Sequence, residues 1–201
     1  MPDSLPQTDA HRAAHKARRS RGTSIIEFTL VLPLLLIMIL ALIEFGNLIQ
    51  ARLIVANVSR EGGSIASRSL SIDQTLADLV ANSGHPLILN GANGKVIITR
   101  VDGGLSAQAT QPTITTQVTS GSLGRASVIG AGNPSLGLPA NLYQHLIFIG
   151  NRTAPKVDGP DVTQLTMVEI YYQYRPITPL PKFIPGLIAQ SGLTLQSRAI
   201  F

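Results

Sequence analysis

The sequence predicts an α+β protein in which a long N-terminal helix precedes a small antiparallel β-sheet domain. Two observations predict this fold class. From Phe28 to Ile43 there is no ionisable side chain, and apolar residues at helical spacing continue beyond this run. After residue 84, short segments rich in β-branched and aromatic residues alternate with Gly, Pro and Asn, which is typical of strands joined by turns.

The composition fits one modest folded domain with an accessory segment. The chain has 201 residues, of which 44% are hydrophobic and 13% charged. Of the net charge of +5, +3 lies in residues 1–22, and the remainder shows no basic stripe with interleaved aromatic residues. We therefore expect no nucleic-acid partner. The absence of cysteine excludes disulfides, thiolate metal sites and cysteine nucleophiles.

Residues 1–22 predict a basic, disordered cytoplasmic leader, and residues 23–46 predict a single transmembrane helix. About 20 apolar residues rising 1.5 Å each cross a hydrocarbon core of ~30 Å. A buried core helix would need a larger protein to cover leucines on every face, and a secretory signal would have a shorter apolar run. The basic residues before the span place the N-terminus in the cytoplasm and the rest outside.

Beyond the span, residues 47–70 predict an extracytoplasmic continuation of the same helix. Gly62 and Gly63 are expected to weaken this helix near its end. Residues 71–201 predict an extracytoplasmic α+β domain. At its start, Ser71 and Gln74 resemble a capping box and predict a short helix that continues through Ala81.

Five segments of the outer domain read as strands. In the fourth segment, Val168 and Ile170 share one face while Glu169 and Tyr171 share the other, which favours an antiparallel sheet with one side packed on a helix. Between the strands, residues 121–140 form a long connection that is either functional or mobile. The predicted strands are residues 95–101, 113–119, 145–149, 165–174 and 193–199.

No motif in the sequence predicts an enzyme. The one His-x-x-x-His pair, His11 and His15, lies in the leader, and a nucleophile elbow, a Walker loop and a dinucleotide fingerprint are all missing. Asp158 and Asp161 bracket a Gly-Pro turn and are able to bind a cation weakly, although solvated turn carboxylates are far commoner. We expect no catalytic residues, no cofactor and no metal.

One dense constellation stands where the leader meets the span. The basic run ends at Gly22, and a cut after it would make Thr23 the first residue and Glu27 the fifth, followed by Phe28. This order resembles the class III signal sequence of type IV pilins and pseudopilins. The resemblance implies that a prepilin peptidase cuts on the cytoplasmic side after Gly22 and that Glu27 is the family's fifth-position glutamate. The Glu27-Phe28 pair is similar to the Glu-Tyr pair of the Flp pilins of the tight adherence (Tad) system.

Further segments resemble the TadE-like branch of that system. They are RGTSIIEFTLVLPLLLIMILALIEFGNLI, the run Asn57-Val-Ser-Arg-Glu-Gly-Gly63, and Tyr172-Gln-Tyr-Arg-Pro-Ile-Thr-Pro-Leu180. The likeness covers residues 18 to about 68 and 168 to 201, and it implies a pilin-like fold. Residues 70–165 show only strand-and-loop texture, and the cysteines often found in relatives' outer domains are absent.

Two residues of the span, Glu27 and Pro33, each have two interpretations, and a third, Glu44, has no assigned partner. Glu27 either snorkels to the cytoplasmic headgroups or, after a cut, neutralises the new α-amine of a neighbouring subunit, which would fix the axial stagger between subunits. Pro33 is either a tolerated membrane proline or a kink that lets helices pack in a filament. Glu44 is expected to snorkel outward, with no partner assigned.

The leading hypothesis is a TadE-like minor pseudopilin that initiates, primes or caps assembly of a Tad (Flp type IV) pilus. Its expected partners are other pilins and pseudopilins, the prepilin peptidase, the inner-membrane assembly platform and the lipid bilayer. It would be a single-pass protein of the bacterial inner membrane, with incorporation into the pilus left open. The alternative is an uncleaved bitopic protein whose outer sheet binds a partner or a cell-wall component, and a weaker third hypothesis is an anchored enzyme.

Overall fold

The computed structural model describes residues 25–69, 71–150, 159–180, 182 and 192–201 in full, and it gives the backbone alone for residues 8–24, 181 and 183. A long helix comes first, and a sheet flanked by short helices follows it. The helices are α1 (Thr8–Arg68), α2 (Gln74–Asn82), α3 (Ala140–Leu146) and α4 (Leu180–Phe183), and the strands are β1 (Gly94–Asp102), β2 (Thr113–Ser120), β3 (Gln164–Tyr174) and β4 (Leu193–Ile200).

The four strands form one antiparallel sheet in the order β2-β1-β3-β4. β1 and β3, the central strands, pair from Gly94 with Tyr172 to Asp102 with Gln164. β4 adds to the outer edge of β3, where Tyr174 pairs with Leu193. The α+β class and the antiparallel sheet predicted from the sequence are confirmed.

The outer part of α1 packs on one face of this sheet. Alternate residues along a strand point to the same face, so Val168 and Ile170 of β3 join Val96 and Ile98 of β1 in one layer. α1 covers that layer with apolar residues at helical spacing, and α2 covers its remaining part. The buried members from the two helices are Val55, Val58, Ala66, Ala77, Val80 and Ala81.

Gly62 and Gly63 do not interrupt α1, which continues to Arg68. Both glycines are buried, and a Cβ built on Gly62 would lie 2.6 Å from Cγ1 of Val80. Their role in this structure is close packing of α1 against neighbouring elements, and the expected weakening of the helix stays a prediction. Arg100 of β1 stabilises the helix end, because its guanidinium donates hydrogen bonds to the carbonyls of Ala66 (3.2 Å) and Ser69 (2.6 Å).

The short helix α2 is confirmed, but its capping residue is different from the one predicted. The carboxylate of Asp73 accepts a hydrogen bond of 2.9 Å from the backbone N–H of Leu76. Asp73 therefore holds the cap position that the sequence pattern assigned to Ser71. Gln74 begins the helix and donates to the carbonyl of Thr119 on β2 (2.8 Å), which ties α2 to the sheet edge.

The opposite face of the sheet is also covered. Residues of the 121–140 connection and of α3 pack there with Val101, Leu165 and Met167. The predicted strand at residues 145–149 was wrong, because α3 contains His145 and only Ile149 makes an isolated bridge, to Gly159. Leu146 at the end of α3 is the one residue of this segment that is fully buried.

Candidate functional site

The apolar part of α1 is long enough and apolar enough to cross a membrane. Among the described residues, it is the one helix that meets this test, beginning at Ile25. Its large side chains are exposed along their length, for example Leu30 (76%) and Leu42 (70%). An apolar helix that its own chain leaves uncovered needs lipid or other helices around it.

Two carboxylates mark the ends of this apolar run, and their surroundings differ completely. Glu27 is exposed, and among the residues that the structure describes none forms a hydrogen bond or an ion pair with it. Phe28 beside it is 67% exposed. Glu44 follows seventeen residues later, about 25 Å along the helix axis, and its side chain is 1% exposed. The Glu27 carboxylate is thus accessible to a partner outside the chain, whereas the Glu44 carboxylate is buried within the chain.

The predicted cut between Gly22 and Thr23 lies in the part of α1 for which the structure gives the backbone alone, and it stays a prediction. Pro33 is exposed and lies inside α1. It has no N–H to donate to the carbonyl of Thr29, four residues earlier. The hydroxyl of Thr29 donates in turn to the carbonyl of Ile25 at 2.8 Å. The kink at Pro33 and its role in packing stay a prediction.

Glu44 does not snorkel outward, as the sequence led us to expect. Its Oε1 accepts a hydrogen bond from the hydroxyl of Tyr174 (2.6 Å), and its Oε2 accepts from the backbone N–H (2.8 Å) and the hydroxyl (2.7 Å) of Thr178. The N–H of Ile177 also donates to Oε2, at 3.1 Å. A buried carboxylate is costly unless it is fully hydrogen-bonded, and here donors from three residues satisfy it. We call Glu44, Tyr174, Ile177 and Thr178 the Glu44 latch.

Burial raises the pKa of the Tyr174 hydroxyl, and its hydrogen bond to Glu44 adds to this effect. The phenol therefore remains a donor at every physiological pH, as the latch requires. The sequence contained one signal for the latch: Glu44 and the Tyr172 to Leu180 segment both lie within the regions that carry the family resemblance. The spacing of residues along the chain gave no indication that these two regions meet.

An apolar groove adjoins the latch on the side of the span. It has a volume of about 530 Å³. Leu180, the first residue of α4, is buried and lines this groove together with residues of the last turns of the apolar run. Residues 177–180, which follow β3, therefore lie beside α1 at the level of the span. The lining residues from α1 are Met38, Ala41, Leu42, Glu44, Phe45 and Leu48.

A second buried carboxylate, Glu169 of β3, holds the 121–140 connection. Glu169 is fully buried; the hydroxyl of Ser127 donates a short hydrogen bond to it, and the N–H of Val128 donates at 3.2 Å. Tyr171 donates from the same strand (3.0 Å), and the guanidinium of Arg198 lies 3.6 Å away. The connection is thus held against the sheet by a polar cluster.

The burial of Tyr171 raises its pKa to about 12, and the negative charge of Glu169 contributes further.

Near the opposite end of the sheet, Nδ1 of His145 and a carboxylate oxygen of Asp161 lie 3.0 Å apart at the surface. Asp158, the other carboxylate of the predicted weak cation site, lies outside the described residues. Within the part of the chain that the structure describes, no group of three or more His, Asp or Glu side chains is placed to hold a metal.

The comparison with known families concerns the helix that carries both carboxylates. Residues 22–64 match the family model described as TadE-like protein. This segment is TadE-like. The match begins at Gly22, contains Glu27, Pro33 and Glu44, and ends within the outer part of α1. The resemblance inferred from the sequence is therefore confirmed over these residues.

Over residues 22–64, the match to the TadE-like family implies a protein associated with the Tad pilus. The TadE-like segment coincides with the apolar part of α1 and its continuation, so an anchor that crosses a membrane once is compatible with both findings. No curated protein and no solved structure shows a significant match to this chain.

Proposed function

We propose that this chain is a minor pseudopilin that assists assembly of a Tad pilus by initiating, priming or capping the filament. One observation carries the proposal: the TadE-like segment begins at Gly22 and continues into an apolar helix whose side chains the chain leaves exposed. Such a helix is suited to lie first in a bilayer and then among the helices of other pilus subunits. Lipid and pilin helices are accordingly its proposed neighbours.

The proposed maturation step is a cut between Gly22 and Thr23 by a prepilin peptidase. The cut would remove the basic leader and create a positively charged amine four residues before Glu27. Glu27 is exposed, and no described residue pairs with it, so its carboxylate is available to the amine of a neighbouring subunit. Between apolar helices the attraction between these two charges is much stronger than in water, and it would set the axial stagger of the subunits.

In this proposal the protein crosses the bacterial inner membrane once, with its N-terminus in the cytoplasm and its sheet domain outside. The proposed parts are the leader (residues 1–22), the span (23–46), the helical continuation (47–70) and the outer domain (71–201). The partners are other pilins and pseudopilins, the peptidase and the inner-membrane assembly platform. The protein works by helix packing, without turnover.

Mass spectrometry tests the maturation step. The full-length chain is expressed with and without a prepilin peptidase, extracted from membranes and measured intact. We expect a mass that corresponds to a chain beginning at Thr23 only when the peptidase is present, and no such product from a Gly22→Val variant. A chain that still begins at Met1 or Pro2 beside an active peptidase would contradict the cleavage and favour the uncleaved bitopic protein.

Copurification tests the role of Glu27. Glu27→Ala is expected to abolish recovery of other pilus subunits with the tagged protein, because the intersubunit charge pair is lost. Glu61→Ala is the matched control, since Glu61 is an exposed glutamate on the outer part of the same helix. Equal recovery with both variants would contradict the proposed assembly contact.

A further inference from the structure

The segment of residues 177–180, which the Glu44 latch holds, lies at the outer boundary of the span. Glu44 follows directly on the apolar run, and it binds the backbone N–H groups of Ile177 and Thr178. Leu180 is buried against α1 and lines the same groove as Met38. Met38 lies six residues before Glu44, about 9 Å deeper along the helix. Residues 177–180 therefore sit beside the last turns of the span.

The exposed side chains of this segment are apolar and cationic. Ile177 is 72% exposed, and Phe45 of α1, next to Glu44, is 62% exposed. Arg175 and Lys182 flank Ile177 and are exposed, and among the described residues neither has an ion-pair partner. The one carboxylate of the latch, Glu44, is buried and already engaged, so the exposed surface here is positive.

We propose that Phe45, Arg175, Ile177 and Lys182 form a collar that binds anionic phospholipid at the outer surface of the bilayer crossed by α1. The lipid-facing side of the span continues directly into the groove, which offers acyl chains an apolar wall at the same depth. Ile177 and Phe45 enter the interface, while the two cations reach the phosphate groups above it. The collar fixes the outer domain against the membrane at one height and one orientation.

This inference rests on the membrane span of the proposed function, but not on cleavage or on a pilus. It is tested with single-tryptophan variants of the full-length chain, because the natural sequence contains no tryptophan. The variants are reconstituted, one protein per lipid nanodisc, with lipids that carry bromine on the acyl chain to quench nearby tryptophan. The lipid is phosphatidylcholine, alone or mixed with phosphatidylglycerol.

Three positions report on three depths. Leu36→Trp lies in the span, Ile177→Trp in the collar, and Leu105→Trp follows the far end of β1 at a residue that is 82% exposed. The far end of the sheet is about 27 Å from the Tyr172 end, at 3.4 Å per residue. We expect strong quenching at position 36, clear quenching with blue-shifted emission at 177, and none at 105. Replacing the Ile177 side chain leaves its backbone bond to Glu44 intact.

Phosphatidylglycerol is expected to increase the quenching at position 177, and Arg175→Gln with Lys182→Gln should remove this increase. Quenching at 177 no greater than at 105, while 36 is quenched, would overturn the collar and leave the span intact. The same quenching in both lipid compositions would overturn the anionic headgroup as ligand. A blue shift of the emission at position 177 that appears only in discs prepared with two copies of the protein, and not in discs with one, would assign the surface to self-association instead. An unquenched position 36 would contradict the span itself, and with it the proposed function.

Discussion

Glu44 and Tyr174 meet through a 2.6 Å hydrogen bond although they are 130 residues apart in the chain. Glu44 ends the apolar run of α1, and Tyr174 ends the central strand β3. The bond therefore joins the long apolar helix to the sheet. Because Thr178 and Ile177 donate to the same carboxylate, the joint has several donors and a defined geometry.

Glu44→Ala is expected to destabilise the outer domain. The substitution leaves the Tyr174 hydroxyl and two backbone N–H groups without their acceptor, and each buried unsatisfied group costs about 1–3 kcal/mol. Thermal unfolding of the full-length protein in detergent, followed by circular dichroism, measures the loss. Tyr174→Phe removes one of these bonds and should produce a smaller decrease in Tm.

Glu61→Ala, on an exposed position of the same helix, is the control and should leave Tm close to that of the unmodified protein. If Glu44→Ala unfolds at the same temperature as the control, the latch does not stabilise the domain. A lower Tm for Tyr174→Phe than for Glu44→Ala would contradict the assignment of Glu44 as the common acceptor.

The latch also shows which parts of the structure the sequence was able to predict. The span, the long helix and the strands β1 to β4 follow from local periodicity, which a single segment carries within itself. The partner of Glu44 depends on how β3 and the segment after it fold back onto α1, and no pattern within residues 23–46 contains that information. A lone carboxylate at the end of an apolar run is ordinarily solvated, so the local interpretation was wrong because a distant segment supplied the donors.

The second buried carboxylate predicts how the 121–140 connection responds to mutation. Glu169→Ala removes the acceptor for Ser127 and Val128, so the connection should separate from the sheet more often. Arg125 lies exposed in that connection and provides a trypsin site. We expect faster tryptic cleavage after Arg125 in Glu169→Ala than in the unmodified protein, measured by mass spectrometry over a digestion time course.

Gln196→Ala is the matched control, because Gln196 is an exposed polar residue of β4, the strand that pairs with β3. Its cleavage rate at Arg125 should equal that of the unmodified protein. An unchanged rate in Glu169→Ala would show that the apolar contacts of Ile129 and Leu138 hold the connection without the polar cluster.

The 121–140 connection and residues 145–149 show a second limit of local patterns. The sequence indicated that the connection was either functional or mobile, and the structure shows it packed on the sheet through Ile129 and Glu169. The segment His-Leu-Ile-Phe-Ile has the composition of a strand, yet its first two residues end α3. Apolar and β-branched composition does not by itself decide between helix and strand, because the elements that a segment packs against also contribute.

The packing of α1 on α2 predicts that Gly62 tolerates no large side chain. A Cβ at Gly62 would lie 2.6 Å from Val80, whose β-branched side chain has little rotational freedom. Gly62→Leu should therefore destabilise the protein by about 1–3 kcal/mol through overpacking, although leucine favours helix more than glycine does. Gly46→Leu is the control within the same helix, because no atom lies within 4 Å of a Cβ built there. Equal Tm values for the two variants would contradict the close approach of the helices.

Alkaline pH should weaken the cluster around Glu169 through Tyr171. The ordinary tyrosine pKa of 10.0 is raised to about 12 in the folded protein, so folding favours the neutral phenol. This contribution to the free energy of unfolding is fully present below pH 10 and is lost as the pH rises through about 12. Tyr171→Phe lacks the ionisable group and also lacks the hydrogen bond to Glu169, so it should be less stable at pH 8.

The difference in Tm between the unmodified protein and Tyr171→Phe should narrow as the pH rises from 8 towards 12. Thermal unfolding of both proteins in the same detergent, measured at intervals of pH, gives this difference directly. Tyr174 also has a raised pKa, but it is present in both proteins and its effect cancels in the comparison. A difference that stays constant over this range would mean that Tyr171 ionises equally easily in the folded and unfolded chains, contrary to its burial beside Glu169.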